Sequence, residues 1–166
     1  MTTLRYCLVY NNSGDAFGAG VTAWESATLV LDHCTIVGNH ALGGDNVYFT
    51  RGGGIVASNS IFAFPSGPAN VEASANAGSS SFSCCDFHVT SGSNVVGFPT
   101  PIGQNANFAL NPSFCDRMAG DFSLTGNSPC ASAVNGACGL VGAMDAQCVP
   151  VVAKRATWGQ AKAYFR

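Results

Sequence analysis

Cys34-Thr35-Ile36 has three counterparts in this chain: Cys7-Leu8-Val9 before it, and Ser60-Ile61-Phe62 and Cys85-Asp86-Phe87 after it. The leading positions, Cys7, Cys34, Ser60 and Cys85, stand 27, 26 and 25 residues apart. A second series, Val21, Val47, Val71 and Val95, interleaves with the first at spacings of 26, 24 and 24. Its members are preceded by Gly20, Asn46, Asn70 and Asn94. A short apolar segment returning at a near-fixed period between Gly-, Asn- and Ser-rich stretches is the mark of a solenoid. No rung buries its own inward side chains; neighbours stacked above and below do so.

The two series also orient the side chains. With the Cys/Ser column inward, Val9, Ile36, Phe62 and Phe87 point the same way two residues on. Leu4, Leu31, Ala57 and Phe82 form another inward column three residues before it. A straight strand cannot keep one face over an odd spacing, so a bend separates those two columns. The valines supply a third column. Three inward columns per turn give a triangular cross-section: an all-β, short right-handed parallel β-helix of about four rungs, roughly 15–20 Å long at about 4.8 Å per rung. Asn11-Asn12-Ser13-Gly14, Gly38-Asn39, Gly43-Gly44-Asp45-Asn46, Pro65-Ser66-Gly67-Pro68 and Ser91-Gly92-Ser93-Asn94 read as its turns. Gly52-Gly53-Gly54 falls at a corner; a phosphate loop would follow its glycines with Lys and Ser or Thr, and Ile55 stands there instead.

Residues 1–98 hold the rungs. From 99 to 148 the period is lost, Pro99, Pro101 and Pro112 oppose strand pairing, and the segment reads as a Cys-rich cap closing one end. Residues 149–166 form an extended, then amphipathic tail, with Trp158, Ala161 and Phe165 on one helical face and Thr157 as N-cap. The chain has 166 residues, 47% of them apolar and only 10% charged, with a net charge of −2. That balance offers no broad basic field for nucleic acid, and no apolar run is long enough to span a membrane.

Eight cysteines divide into two groups. Cys7, Cys34 and Cys85 share one inward column and read as a stack of free thiols. Cys115, Cys130, Cys138 and Cys148 lie where the core is weak and disulfides contribute most. Cys130 with Cys138 closes a short loop, and Cys115 with Cys148 then ties the ends of the segment; other connectivities stay open. Cys84 has no evident partner. Disulfides favour an oxidising, extracellular or cell-surface location, although Met1-Thr2-Thr3-Leu4 lacks the basic start and apolar run of a secretory leader.

The runs Asn111-Pro112-Ser113-Phe114-Cys115-Asp116, Ala119-Gly120-Asp121-Phe122-Ser123-Leu124, Asn127-Ser128-Pro129-Cys130 and Cys138-Gly139-Leu140-Val141-Gly142-Ala143 resemble the C-terminal portion of secreted bacterial right-handed parallel β-helix repeat proteins, which share the pectate-lyase-like fold. Ser83-Cys84-Cys85-Asp86 and Cys34-Thr35-Ile36-Val37-Gly38-Asn39 resemble their rungs, and the ending from Trp158-Gly159 to Arg166 resembles their short tail. The resemblance implies the fold over nearly the whole chain. Many such proteins carry a further Cys near the position of Phe98, absent here.

Lyases of that fold hold calcium in a carboxylate cluster beside a basic Arg or Lys. Here Glu25 aligns with Arg51, Asp32 with Ser58 and Ser83, and Asp86 with Ile61 and Thr35. No two acids share a column on adjacent rungs, as a hydrolase pair or a calcium site would favour. His33, His40 and His88 join no triad, and Cys/His spacing gives no zinc pattern. The sequence therefore predicts no enzyme, metal or cofactor. Trp24, Tyr48 and Phe49 are candidates for sugar stacking, and Asn11 heads a glycosylation sequon, Asn11-Asn12-Ser13. Leu8 and Ile61 face outward with Thr35 between them. The coil opens in mid-rung at Leu4, so an unpaired strand edge is presented there. Together with Trp158 and Phe165, these residues predict an extracellular structural or adhesive module that associates with copies of itself head to tail, as a filament does. The alternatives are a polysaccharide-binding or polysaccharide-cleaving β-helix, or a piece of a longer surface repeat protein.

Overall fold

The computed structural model describes residues 1–148. It is a parallel β-solenoid of about four turns, three strands to the turn. The first turn holds β1 (Thr2–Arg5), β2 (Leu8–Tyr10) and β3 (Val21–Ala23). The second holds β4 (Thr28–Asp32), β5 (Thr35–Val37) and β6 (Val47–Phe49). The third has β7 (Gly54–Ser58), β8 (Ile61–Ala63) and β9 (Ala69–Ala73), and the fourth β10 (Ser80–Ser83), β11 (Asp86–His88) and β12 (Ser93–Val96). Like strands stack into three parallel sheets, β1-β4-β7-β10, β2-β5-β8-β11 and β3-β6-β9-β12. Their register follows the sequence columns: Leu4 opposite Leu31, Val9 opposite Ile36, Val21 opposite Val47 and Val47 opposite Val71.

The bend demanded by the odd spacing is one residue per turn in the left-handed conformation. Tyr6, His33, Asn59 and Cys84 stack there with φ of 49°, 51°, 47° and 53°. Each costs roughly 1–2 kcal/mol without glycine, and each is held by the next turn. Their N–H groups donate to the carbonyls of Asp32, Ser58, Ser83 and Asn105 at 3.0–3.1 Å.

Inside, Leu31, Cys34, Ile36, Val47, Ile55, Phe62, Val71, Cys85 and Phe87 have no exposed surface. Phe49 sits in register between Ala23 and Ala73, so one large ring fills a layer whose neighbours are small. Phe62, Phe82 and Phe87 meet ring to ring at 5.3–6.1 Å, and Phe98 folds over Phe82 and Phe49 at the far end. Cys7, Cys34 and Cys85 are unbonded. At the third corner, buried amides replace apolar groups. Asn46 donates to Asn70 Oδ1 at 2.7 Å and to the Ala63 carbonyl at 3.0 Å, while Asn39 donates to Asn46 Oδ1 at 2.8 Å. Gly20 occupies this column in the first turn because a Cβ there would strike the Asn46 carbonyl.

The segment after residue 98 does more than close an end. Asn107 extends the Cys/Ser column one step further, its Oδ1 accepting from the Cys85 N–H at 2.8 Å and its Nδ2 donating to the Phe82 carbonyl at 2.9 Å. Phe108 pairs with β11. From there residues 111–148 run down the side of the solenoid, through the antiparallel pair β13 (Phe114–Asp116) and β14 (Asp121–Leu124). This flank lies on the outer face of β2-β5-β8-β11. Phe122, Leu124, Cys130, Ala131 and Val141 bury Val37, Ile61 and Ala63 beneath them in a second core.

Two sequence expectations are corrected here. The pairing of Cys130 with Cys138 does not form: Cys138 is bonded to Cys84, and Cys130 is a buried free thiol. Cys84 points out at the left-handed corner, where the flank crosses it. Cys115 is bonded to Cys148. Second, Ile61 is no assembly contact, since the chain's own flank covers it completely. Gly142 allows that approach; a Cβ there would lie 2.6 Å from Ile61 Cδ1 and 2.9 Å from Thr35 Oγ1. Leu8 is half-buried at the edge of the same second core.

Candidate functional site

The acids are dispersed and largely occupied. Asp32 takes Arg5 at 3.3 Å and His33 at 2.8 Å, and the His33 ring stacks on Tyr6. Glu25 meets Arg51 at 3.7 Å, an exposed pair of small energetic weight. Buried Asp45 accepts from the N–H groups of Ala41 and Ala69 and so fixes a turn. Burial raises the Glu72 carboxyl above its ordinary value, and the nearby Asp45 adds to the shift. Asp116 caps a short 3-10 turn at Arg117–Ala119. Hydrogen bonds from Ser132 hold Asp145 below the usual carboxylate range. Asp86, like Asp45, is buried with no cation beside it among the described residues; it accepts from the Leu110 N–H and meets the Cys130 thiol. Among the described residues, no three His, Cys, Asp or Glu side chains stand where they could share a metal ion.

Nor do the aromatic candidates form a platform. Trp24 is exposed, but the Arg51 guanidinium lies 4.7 Å over its ring. Tyr48 is buried beneath Phe17 at 4.9 Å, and Phe49 is in the core. Asn11 of the sequon is exposed at a corner with φ of 52°. His40 is exposed, while His88 is half-buried with an unpartnered Nε2.

The remaining feature is the first turn itself. Among the described residues, β1, β2 and β3 are each the outermost strand of their sheet, so all three have an edge with no strand beyond it on the same side. Their inward residues Leu4, Cys7, Val9 and Val21 are only half-buried, whereas their counterparts one turn on, Leu31, Cys34, Ile36 and Val47, are completely so. The opposite end is different. Phe108 occupies the edge of β11, and the prolines 99 and 101 stand beside β10, around a groove of about 230 Å³ lined by Ser80, Phe82 and Gln104. β10 and β12 have no strand beyond them among the described residues. Among the described residues the first turn is thus a parallel rung with no strand stacked beyond it and its inward side chains only half-covered. Trp158 and Phe165 lie outside the described residues.

No protein-family model matches this chain, and neither does any curated protein or solved structure. The likeness to secreted bacterial β-helix proteins rests on the quoted runs of sequence alone, while the solenoid stands on its own strands. The two disulfides are compatible with an extracellular setting, and no described helix is long and apolar enough to cross a membrane.

Proposed function

We propose that this chain is a non-enzymatic, extracellular structural or adhesive module that binds a second copy of itself through the open first turn. The observation that carries this reading is the set of three strand edges on β1, β2 and β3 with no strand beyond them among the described residues, around half-covered Leu4, Cys7, Val9 and Val21. Unpaired edges with apolar side chains recruit further strands. The orientation of the partner follows from sheet polarity. β1 and β10 end the same parallel sheet, and β3 and β12 end another. A copy stacked head to tail therefore continues both sheets in the parallel sense, whereas two first turns facing each other would meet antiparallel. Head-to-tail contact is heterologous and does not close on itself.

Sedimentation velocity over a wide concentration range tests this, on the full chain beside one ending at Cys148. Association that grows with concentration and shows no fixed endpoint supports the reading; a monomer at every concentration in both samples contradicts it. Loss of association only in the shortened chain assigns residues 149–166 to the contact.

A further inference from the structure

Asp86 is a carboxylate buried at the contact between the rungs and the flank. It projects from the outer face of β11 into the space beneath the flank and has no exposed surface. Its Oδ1 accepts from the Leu110 N–H at 2.9 Å, and the Cys130 thiol meets its Oδ2 at 3.5 Å. Among the described residues no cation balances it. The three described arginines are engaged elsewhere: Arg5 with Asp32, Arg51 with Glu25, and Arg117 over the Phe64 ring at 4.4 Å. The titratable groups around it are Cys130 on the flank and, on its own chain segment, Cys85 and His88. Burial raises both thiols, Cys85 to about 12. Burial also holds His88 below its ordinary value. All three are thus neutral near pH 7, and none offsets a negative charge at Asp86.

The flank above rests on the second core and is fastened to the rungs by a small set of hydrogen bonds. The Gly142 N–H donates to the Asn59 carbonyl at 2.8 Å, and Asn59 Nδ2 donates to the carbonyls of Cys138 and Leu140 at 2.9 and 3.0 Å. The Ala143 N–H reaches Thr35 Oγ1 at 3.0 Å. The disulfide from Cys84 to Cys138 tethers the flank whether or not those bonds are made. Lifting it restores water to Asp86 without detaching it.

We propose that Asp86 is a proton-operated latch: with its carboxyl protonated the flank stays seated on β2-β5-β8-β11, and with it ionised the flank lifts and uncovers the Cys130 thiol. The direction follows from burial, which pushes the carboxyl from its ordinary value up to about 7 when the flank is seated. The seated state therefore favours the proton. Seating is strongest below about pH 4, weakens as pH rises toward 7, and changes little above that. The latch engages on acidification.

The test is the rate at which Cys130 reacts with a dithiodipyridine between pH 4.5 and 8.5. It is read by peptide mass and divided by the rate for an unstructured cysteine peptide. The attacking Cys130 sulfur forms a mixed disulfide and expels one thiopyridone, so no other oxidant is needed. The ratio should rise by roughly tenfold per pH unit between about 5 and 7, flatten above, and lose that slope in Asp86→Asn. A flat ratio in the native protein, or an unchanged slope in Asp86→Asn, overturns the latch. Should that variant not fold, hydrogen exchange of the Gly142 N–H in the native protein decides. Corrected for intrinsic exchange, it should show the slope, while the Ile61 N–H, bonded to the Cys34 carbonyl beneath, should not. Equal slopes at both amides mean global unfolding and also overturn it.

Discussion

Asn59 shows how much one side chain does at a corner. Its backbone is left-handed, its N–H and carbonyl bond a rung and the flank respectively, and its amide holds two flank carbonyls. Asn59→Ala removes two hydrogen bonds and leaves an unfavourable φ, and should cost about 2–4 kcal/mol in chemical denaturation. Asn59→Gly relieves the backbone and should recover about 1 kcal/mol of that loss. At Asp86 the pH profile is the readout. Its raised carboxyl contributes stability that is complete below about pH 4 and lost as pH rises through about 7. The native protein should lose about 2–3 kcal/mol from this group between pH 5 and 8. His88, held below its ordinary value by burial, acts in the opposite sense as pH falls through its unfolded range. Subtracting the Asp86→Asn profile isolates the carboxyl; an unchanged difference across that range would contradict the assignment. In the sequence Asp86 already stood in a column with Ile61 and Thr35. That column is uncharged in the turns below, which was the one available signal that its outer face is covered.

At the scale of elements, the strands were legible and the flank was not. Repetition made the rungs readable: each inward column is filled four times over, so an error at one turn is corrected by the next. The flank occurs once, and its partner is the outward side of a sheet, where alternation says only that Leu8 and Ile61 point away from the core. The choice of Cys130 for Cys138 failed for the same reason. Proximity along the chain favoured a short loop, while the pairing is set by the left-handed corner that turns Cys84 toward the crossing flank. Replacing Cys84 and Cys138 together by serine opens a link spanning 54 residues, worth up to about 4 kcal/mol in a chain-entropy account. The flank amides should exchange faster, while those of β5 and β8 should keep their protection. Equal loss everywhere would show that flank and rungs fold as one unit. Within the rungs, Phe49→Ala should cost about 3–5 kcal/mol, because Ala23 and Ala73 above and below cannot fill the space. Thermal or denaturant unfolding measures it.

For the whole molecule, the solenoid gives two unlike ends and one clothed side. The side facing β2-β5-β8-β11 is closed by the flank, and at the far end Phe108 covers β11 and Phe98 and Ile102 pack on the core, while β10 and β12 have no strand beyond them among the described residues. Among the described residues the first turn has no strand beyond it, and Leu4, Cys7, Val9 and Val21 are only half-buried. Whether a partner sits there was never in the sequence pattern, since the columns specify how turns stack and are equally satisfied by a turn of the same chain or of another. A charge at the joint separates these cases. In a free copy the ammonium of Val9→Lys can reach water from a half-exposed position, but it is stranded once a second turn covers it. Direct imaging by negative-stain microscopy of the native chain beside Val9→Lys is therefore the measurement to make. End-to-end filaments with an axial repeat of roughly 20–25 Å, four turns at about 4.8 Å each plus the step added by Asn107 and Phe108, that disappear in the lysine variant are the predicted result. Dispersed single particles of native protein at every concentration, or filaments indifferent to the lysine, would contradict it.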